Sequence, residues 1–131
     1  MTTIVVGWTP DEYGEAALAR ALEEARLRAG RVVAVNATRG DALVDERYAD
    51  SEQLDRLTAA AADSGVDVEV RRSMGVDVGD QVLDVAGELS ADLVVIGLRR
   101  RSPVGKLLMG SVAQRILLGA ECAVLAVKPP H

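Results

Sequence analysis

Aromatic residues are scarce in this sequence: among its 131 residues there are no phenylalanines, one tryptophan and two tyrosines. Proteins that hold single-stranded nucleic acid stack its bases on aromatic side chains, so the composition argues against that class. The formal net charge is −5, and an acidic protein is a poor partner for phosphate backbones, which attract basic surfaces. We therefore expect no nucleic-acid partner.

Cysteine and histidine are almost absent as well. Cys122 is the only cysteine and His131 the only histidine, which excludes an internal disulfide and a metal cluster built from these residue types. Without an internal histidine or a cysteine dyad, nucleophilic catalysis has no evident base. We expect Cys122, which opens an apolar run, to be a small core residue, and we expect the protein not to be an enzyme.

Long apolar runs are missing too. No run approaches the roughly 20 apolar residues that a membrane-spanning helix needs. The first residues, Met1 to Thr3, lack the basic and apolar regions of a secretory signal. We therefore expect a cytoplasmic protein without a membrane partner.

Short apolar runs alternate instead with segments of helical spacing along the whole chain, which predicts one α/β domain over residues 1–131. Such alternation is typical of a doubly wound parallel sheet flanked by helices on both faces. The predicted strands are Thr3–Gly7, Arg31–Asn36, Val66–Arg71, Leu93–Ile96 and Ala123–Val127; the predicted helices run from about Tyr13 to Ala29, from about Asp45 to Ser64, from about Val78 and from about Val112.

The segment from Asp92 to Ser111 carries the strongest pattern. Leu93–Ile96 is an uninterrupted apolar run, which predicts a strand buried on both faces, and Gly97 ends it. A basic connection leads to Gly110, just before a helical spacing of apolar residues. A strand, a glycine loop and a helix start are typical of a phosphate site, because free N–H groups and the helix dipole attract anions. The alternative is a glycine that serves only a tight turn, followed by a solvated basic loop.

Two enzyme patterns for phosphate binding do not fit this segment or the first strand. A Walker A loop needs glycine where Arg100 stands and serine or threonine where Leu107 follows Lys106. The dinucleotide pattern Gly-x-Gly-x-x-Gly is also absent after Gly7.

The segment resembles the nucleotide-binding loop of the universal stress protein family. That family has Gly-x-x-Gly, nine residues, then Gly-Ser or Gly-Thr after the fourth strand, and Gly97, Gly110 and Ser111 fall on this pattern. Arg100 stands at the second glycine, and Thr9 stands where the family's nucleotide binders have an aspartate that contacts adenine. The likeness covers essentially the whole chain.

The resemblance implies a five-stranded sheet in the order 3-2-1-4-5, with the winding reversal between the first and fourth strands. It further implies that ATP, with or without Mg²⁺, binds in the cleft between the loops after those two strands. The binding residues that follow from it are Gly7, Thr9, Val35, Gly97, Arg99, Arg100, Gly110, Ser111 and Val112.

Three of these residues leave alternatives open. Arg100 either fills the phosphate space or contacts a phosphate through its guanidinium group. Ser111 can cap a helix and can also bring its hydroxyl to a phosphate, and the two roles are compatible. Thr9 can offer a hydroxyl hydrogen bond but no carboxylate.

The fifth predicted strand would lie at the sheet edge in this order, and an apolar edge favours pairing with another chain. The family commonly dimerises there, so we expect a homodimer through Ala123, Val124, Leu125, Ala126 and Val127. The alternative is a strand shielded by its own flanking helices. The function implied is an ATP-responsive, dimeric binding module in stress adaptation; a dimeric adaptor with a degenerate site and, more weakly, a slow ATP hydrolase are the competing hypotheses.

Overall fold

The computed structural model describes residues 1–38, 49–98 and 110–130. Strands and helices alternate throughout, as the sequence predicts. In chain order they are β1 (Thr3–Gly7), α1 (Glu12–Arg28), β2 (Arg31–Thr38), α2 (Ser51–Ser64), β3 (Val68–Met74), α3 (Val78–Glu88), β4 (Leu93–Gly97), α4 (Ser111–Gly119) and β5 (Ala123–Val127).

The five strands form one parallel sheet in the order β3-β2-β1-β4-β5. This order confirms the prediction, including the reversal of winding between β1 and β4. Gly7, the last residue of β1, pairs with Val35 of β2 on one side and with Ile96 of β4 on the other. The carboxyl ends of the three central strands therefore meet at one edge of the sheet.

Two hydrophobic clusters cover the two faces of the sheet. Ile4 and Val6 of β1 pack with α1 and α2 on one face, whereas Val5 packs with α3 and α4 on the other. All three side chains have no exposed surface. The central strands thus bury both faces, as expected of an unbroken apolar run between two helical layers.

The outer strands are less buried. Along β3, exposed and half-buried residues largely alternate, and β3 lies at one edge of the sheet, as its alternating sequence predicts. At the opposite edge, β5 has Ala123 and Ala126 exposed and its three other residues half-buried. The predicted edge position of β5 is confirmed.

A buried asparagine of β2 binds one residue of the connection after β1 and one residue just before α2. Asn36 of β2 is fully buried; its Nδ2 donates to the carbonyl of Trp8 at 3.1 Å, and its Oδ1 accepts from the N–H of Ala49 at 2.9 Å. A buried amide satisfied on both sides stabilises one arrangement, because a shift would leave polar groups unpaired.

The start of α2 differs from the prediction. We predicted a helix from about Asp45, which lies outside the described residues, but α2 begins at Ser51 and Asp50 is its N-cap in extended conformation. Asp50 Oδ1 accepts from the N–H of Gln53 at 2.8 Å, and Gln53 Oε1 accepts from the N–H of Asp50 at 2.9 Å. This reciprocal capping box fixes the helix start.

Cys122 lies just before β5 and is only half-buried, packed against the cluster on the α3 and α4 side. It is therefore a boundary residue rather than a fully buried one. Its partial desolvation raises the pKa of the thiol above its ordinary value, which favours the neutral thiol over the reactive thiolate.

No helix within residues 1–38, 49–98 and 110–130 combines the length and apolar content needed to cross a lipid bilayer.

Candidate functional site

A cavity of about 300 Å³ opens at the carboxyl edge of the sheet, where the winding reverses between β1 and β4. Ligands of doubly wound sheets bind at such a reversal, because the connections from neighbouring strands diverge there and leave a crevice. The size is at the lower end of the range for small-molecule cavities.

Seven of the nine predicted site residues line this cavity. They come from the ends of β1, β2 and β4 and from the start of α4: Gly7, Thr9, Val35, Gly97, Gly110, Ser111 and Val112. The other two, Arg99 and Arg100, lie outside the described residues. Binding by all nine stays a prediction.

One part of the cavity is an apolar slot that the sequence did not predict. Its walls are made by Val35 and Ala37 of β2, by Val78 and Val82 of α3 and by Ile116 of α4, which belong to one hydrophobic cluster. All except Val78 are buried. We predicted the inward face of α3 as core, but only the sheet order brings it over the end of β2. A slot of this composition suits a flat, weakly polar ring.

The amino end of α4 forms another part of the cavity wall. Gly110 is the N-cap, with φ −66° and ψ 157°, and no side chain of the described residues caps the helix. Within the described part of the chain the first N–H groups of α4 therefore have no capping side chain, and no acidic residue lies in its first turn. These groups and the helix dipole attract an anion.

The capping role considered for Ser111 is wrong. Ser111 is the first residue of α4, one position after the N-cap, and it is exposed. A hydroxyl at the N-cap accepts from the N–H two or three residues later, and Ser111 stands one position too late for that geometry. Its hydroxyl is available at the cavity wall.

Thr9 and Asp11 form a hydrogen-bonded pair on the connection after β1. The Thr9 hydroxyl donates to Asp11 Oδ1 at 2.7 Å. The same oxygen accepts from the N–H groups of Tyr13 at 3.1 Å and Gly14 at 3.0 Å, so that Asp11 is the N-cap of α1. We predicted that Thr9 can offer a hydroxyl hydrogen bond to the ligand; its proton is donated to Asp11, but the hydroxyl oxygen can still accept one.

Asp11 is the main site residue that sequence reasoning missed. Both Asp11 and Thr9 line the cavity, but Asp11 is not among the nine site residues that we predicted. Its sequence signal is the aspartate at the position before the acidic first turn of α1, which is typical of an N-cap. That signal locates the helix start but does not show that the carboxylate reaches the cavity.

Two glycines bring α1 close to the site. A Cβ on Gly14 would lie 1.7 Å from the Thr9 carbonyl oxygen, and a Cβ on Gly97 would lie 2.4 Å from the Tyr13 carbonyl oxygen. Such distances leave no room for a side chain, so both positions require glycine. The close packing of β4 on the first turn of α1 is therefore sufficient to require glycine at position 97, which also lines the cavity.

A largely exposed ion pair joins α3 and α4. Arg115 of α4 donates from Nε to Asp80 Oδ1 of α3 at 2.7 Å. This hydrogen bond and the charge of Asp80 raise the pKa of the Arg115 guanidinium above its ordinary value, so Arg115 keeps its positive charge. The ion pair links the helix that bears the uncapped N–H groups to the helix that bears Val78 and Val82.

Trp8 lies beside the site and is the only tryptophan of the chain. It lines the cavity and is 4% exposed. Its indole Nε1 is one of two buried side-chain polar atoms without a hydrogen-bond partner among the described residues, the other being Thr38 Oγ1. A tryptophan in this position makes the protein's own fluorescence sensitive to what enters the cavity.

Acidic, histidine and cysteine side chains do not gather into a metal-binding group of three or more anywhere in the described parts of the chain. Among those residues, Asp11 is the only carboxylate that lines the cavity. A divalent cation at this site would therefore depend on oxygen atoms from a ligand.

Comparison with known proteins gives a consistent result. The model of the universal stress protein family matches residues 1–128. A universal stress protein from Mycolicibacterium smegmatis is 48% identical over 126 residues, which cover 96% of this chain and 97% of that protein.

Solved structures give the same result. The universal stress protein from Archaeoglobus fulgidus superimposes with a TM-score of 0.81 at 32% identity and 98% coverage of both chains. The universal stress protein from Archaeoglobus fulgidus in complex with dAMP superimposes with a TM-score of 0.72 at 27% identity, again with 98% coverage of both chains.

Proposed function

Since the chain belongs to the universal stress protein family, we propose that it binds an adenine nucleotide, ATP above all, in the cavity between β1 and β4. In this proposal it is a homodimeric binding module that responds to ATP during stress adaptation in the cytoplasm. It binds the nucleotide and signals to a protein partner which nucleotide is bound. It does not hydrolyse the nucleotide as an enzyme would.

The observation that carries the proposal is the uncapped start of α4 next to an apolar slot. Gly110 and Ser111 bring to the cavity wall the helix start that no side chain of the described residues caps, and its N–H groups suit a phosphate. Val35 and Val82 line the adjoining slot, which suits a purine ring. A nucleotide combines a flat ring with an anionic end, and the dAMP complex of the relative from Archaeoglobus fulgidus supports an adenine nucleotide.

In this proposal the second and third phosphates of ATP bind to the connection between β4 and α4. Leu98 and Gly110, the described residues on either side of segment 99–109, both line the cavity. The segment itself contains Arg99, Arg100 and Arg101, and guanidinium groups bind phosphate in a bidentate manner. We propose that these arginines report the phosphate content of the nucleotide to a protein partner.

Magnesium fits the site only as a companion of the phosphates. Asp11 is the single carboxylate on the cavity wall among the described residues, and it is already the N-cap of α1. Mg²⁺ usually keeps several waters and binds through substrate phosphates with one or two carboxylates. The cation would therefore add charge neutralisation to bound ATP without a dedicated protein cage.

Titration calorimetry of the nucleotide-stripped protein tests the proposal. We expect saturable ATP binding near micromolar, about 8 kcal/mol, with a parallel change in the fluorescence of Trp8. AMP should bind more weakly, because it lacks the phosphates that reach the arginines. A phosphate-release assay on the same sample should stay at background, since we propose binding without turnover.

Absence of heat and of fluorescence change up to millimolar ATP, from a folded protein, would contradict the proposal. The competing hypothesis of an adaptor with a degenerate site would then stand. Phosphate release that rises above background and follows ATP saturation would favour the slow hydrolase instead.

We also propose that the dimer forms by antiparallel pairing of β5 with its copy. The carbonyl of Val127 accepts from the N–H of Leu98 beyond the end of β4. Val127 therefore directs its backbone groups towards β4, and Ala126 next to it directs them to the free edge, since successive strand residues alternate. A parallel edge strand with free N–H and C=O groups is a template for pairing.

Replacing Ala126 by proline should give a folded monomer. Proline removes one N–H from the free edge and leaves the bonds to β4 intact, which is the position where edge strands tolerate it. Sedimentation equilibrium would measure the mass, and circular dichroism would confirm the fold. The matched control is Ala123→Ser, which changes an exposed side chain of the same strand without removing an N–H and should stay dimeric. A dimer that persists in Ala126→Pro would place the contact elsewhere.

A further inference from the structure

Asp11 has an unused oxygen at the cavity. Its three hydrogen bonds, from the Thr9 hydroxyl and from the N–H groups of Tyr13 and Gly14, all end on Oδ1. The other oxygen, Oδ2, has no hydrogen-bond partner among the described residues. The side chain is exposed, and it lines the cavity.

The position of Asp11 along the cavity decides what it can meet. The apolar slot lies at the ends of β2 and α3, around Val35 and Val82, and the uncapped start of α4 lies after β4. The connection that holds Asp11 follows β1, which lies between β2 and β4 in the sheet. In a bound nucleotide the ribose lies between the base and the phosphate.

We infer that Asp11 accepts a hydrogen bond from a ribose hydroxyl through Oδ2, so that the cavity prefers ribonucleotides over deoxyribonucleotides. The inference rests on the proposed nucleotide binding and adds that the site is specific for ribose. A carboxylate is suited to this task because it only accepts, whereas each ribose hydroxyl can donate.

Thr9 is a positioning residue in this arrangement. Its hydroxyl donates to Asp11 Oδ1 at 2.7 Å, and the N–H groups of α1 hold the same oxygen. Together these three donors fix the orientation of the Asp11 carboxylate. Oδ1 accepts hydrogen bonds from the protein, and Oδ2 stays available to a ligand. Thr9 itself contributes no donor to the sugar, since its only proton is engaged.

The test compares AMP with 2′-deoxy-AMP and 3′-deoxy-AMP by calorimetry. We expect the wild-type protein to bind AMP about tenfold more tightly than at least one of the two deoxy forms, as a hydrogen bond to a charged acceptor is lost. In Asp11→Ser this preference should fall to about twofold or less. Serine is as good an N-cap as aspartate, so the fold of α1 is kept while Oδ2 is removed.

Asp50→Ser is the matched control. Asp50 is also an N-cap aspartate with extended backbone, at α2, and it is not among the residues that line the cavity. It should keep the full preference for AMP, and both variants should melt within a few degrees of each other. The ratio of the affinity for AMP to the affinity for each deoxy form is a readout that a loss of capping alone would not change.

Each outcome decides the inference. Equal binding of AMP and both deoxy forms by the wild type overturns it without any variant, and so does an Asp11→Ser protein that keeps the wild-type preference. If the wild type binds none of the three nor ATP, the proposed function fails and the inference with it. If it binds all three equally well, the proposed function stands and only the role of Asp11 fails.

Discussion

Replacing Gly14 by alanine is expected to lower the free energy of unfolding by about 3 kcal/mol, at the upper end of the range for overpacked sites. The new Cβ would lie 1.7 Å from the carbonyl oxygen of Thr9 and 2.5 Å from its nitrogen. Both are backbone atoms, so no flexible side chain can move aside. The first turn of α1 would have to separate from the end of β1.

Gly14→Ala is expected to destabilise the protein, whereas replacing a helical glycine by alanine usually stabilises it. Gly14 lies in a helix, where alanine is normally more favourable than glycine by up to about 1 kcal/mol. Gly87 of α3 is the matched control, because a Cβ there meets no heavy atom within 4 Å. Gly87→Ala should therefore stabilise the protein by about 0.5 kcal/mol or more.

Urea denaturation of the two variants beside the wild type measures both effects. A Gly14→Ala protein as stable as the wild type would mean that α1 does not pack on Thr9 as described. A loss of equal size in both variants would point to helix composition rather than to the close approach.

Replacing Ser111 by aspartate should separate stability from binding. A negative charge in the first turn of α4 interacts favourably with the helix dipole and should stabilise the folded protein by about 0.5 kcal/mol. The same charge would lie against the nucleotide phosphate, and repulsion at about 4 Å near a protein surface amounts to several kcal/mol. We expect ATP affinity to fall about a hundredfold or more.

Ser111→Ala is the neutral control for this substitution. It removes one hydroxyl and should weaken binding only a few-fold, the usual size of a single hydrogen bond. Calorimetry gives the affinities, and thermal melting gives the stabilities. If Ser111→Asp binds ATP as the wild type does, the phosphate does not lie at the start of α4.

The fold was largely predictable from the sequence, because its signals are local. Runs such as Leu93–Ile96 are apolar throughout and flanked by glycine or polar residues, and this pattern alone predicts a buried strand. The order of the strands is not local information. It came from the family resemblance of the loop at Gly97 and Gly110, and the structure confirms it.

The start of α2 shows where local signals compete. The sequence between β2 and α2 contains polar and apolar residues that also suit a helix, and we predicted the helix too early. The capping box of Asp50 and Gln53 was present in the sequence, at the spacing that such a box requires. The position of a helix N-terminus depends on the side chain that can accept from its free N–H groups. It depends less on the helix propensities of the neighbouring residues.

The candidate site was predictable in outline but not in its contacts. A glycine in the sequence does not reveal which atom approaches it, so the packing of Tyr13 on Gly97 could not be foreseen. The pairing of Thr9 with Asp11 depends on backbone angles in a short turn, and the approach of Val82 to Val35 depends on two crossovers. These are tertiary facts, set by the assembly of elements rather than by any one segment.

The buried side chain of Asn36 also bears on how this chain can change during evolution. Asn36 lies on β2, which precedes segment 39–48, and its Oδ1 accepts from the N–H of Ala49, which follows that segment. Both ends of the segment are therefore held at the same point of the sheet. The entropy lost in closing a loop between fixed ends grows only with the logarithm of its length, about 0.6 kcal/mol for each doubling. Insertions and deletions in that segment should therefore be nearly neutral for folding, which leaves its length and composition free to diverge while the sheet stays constant.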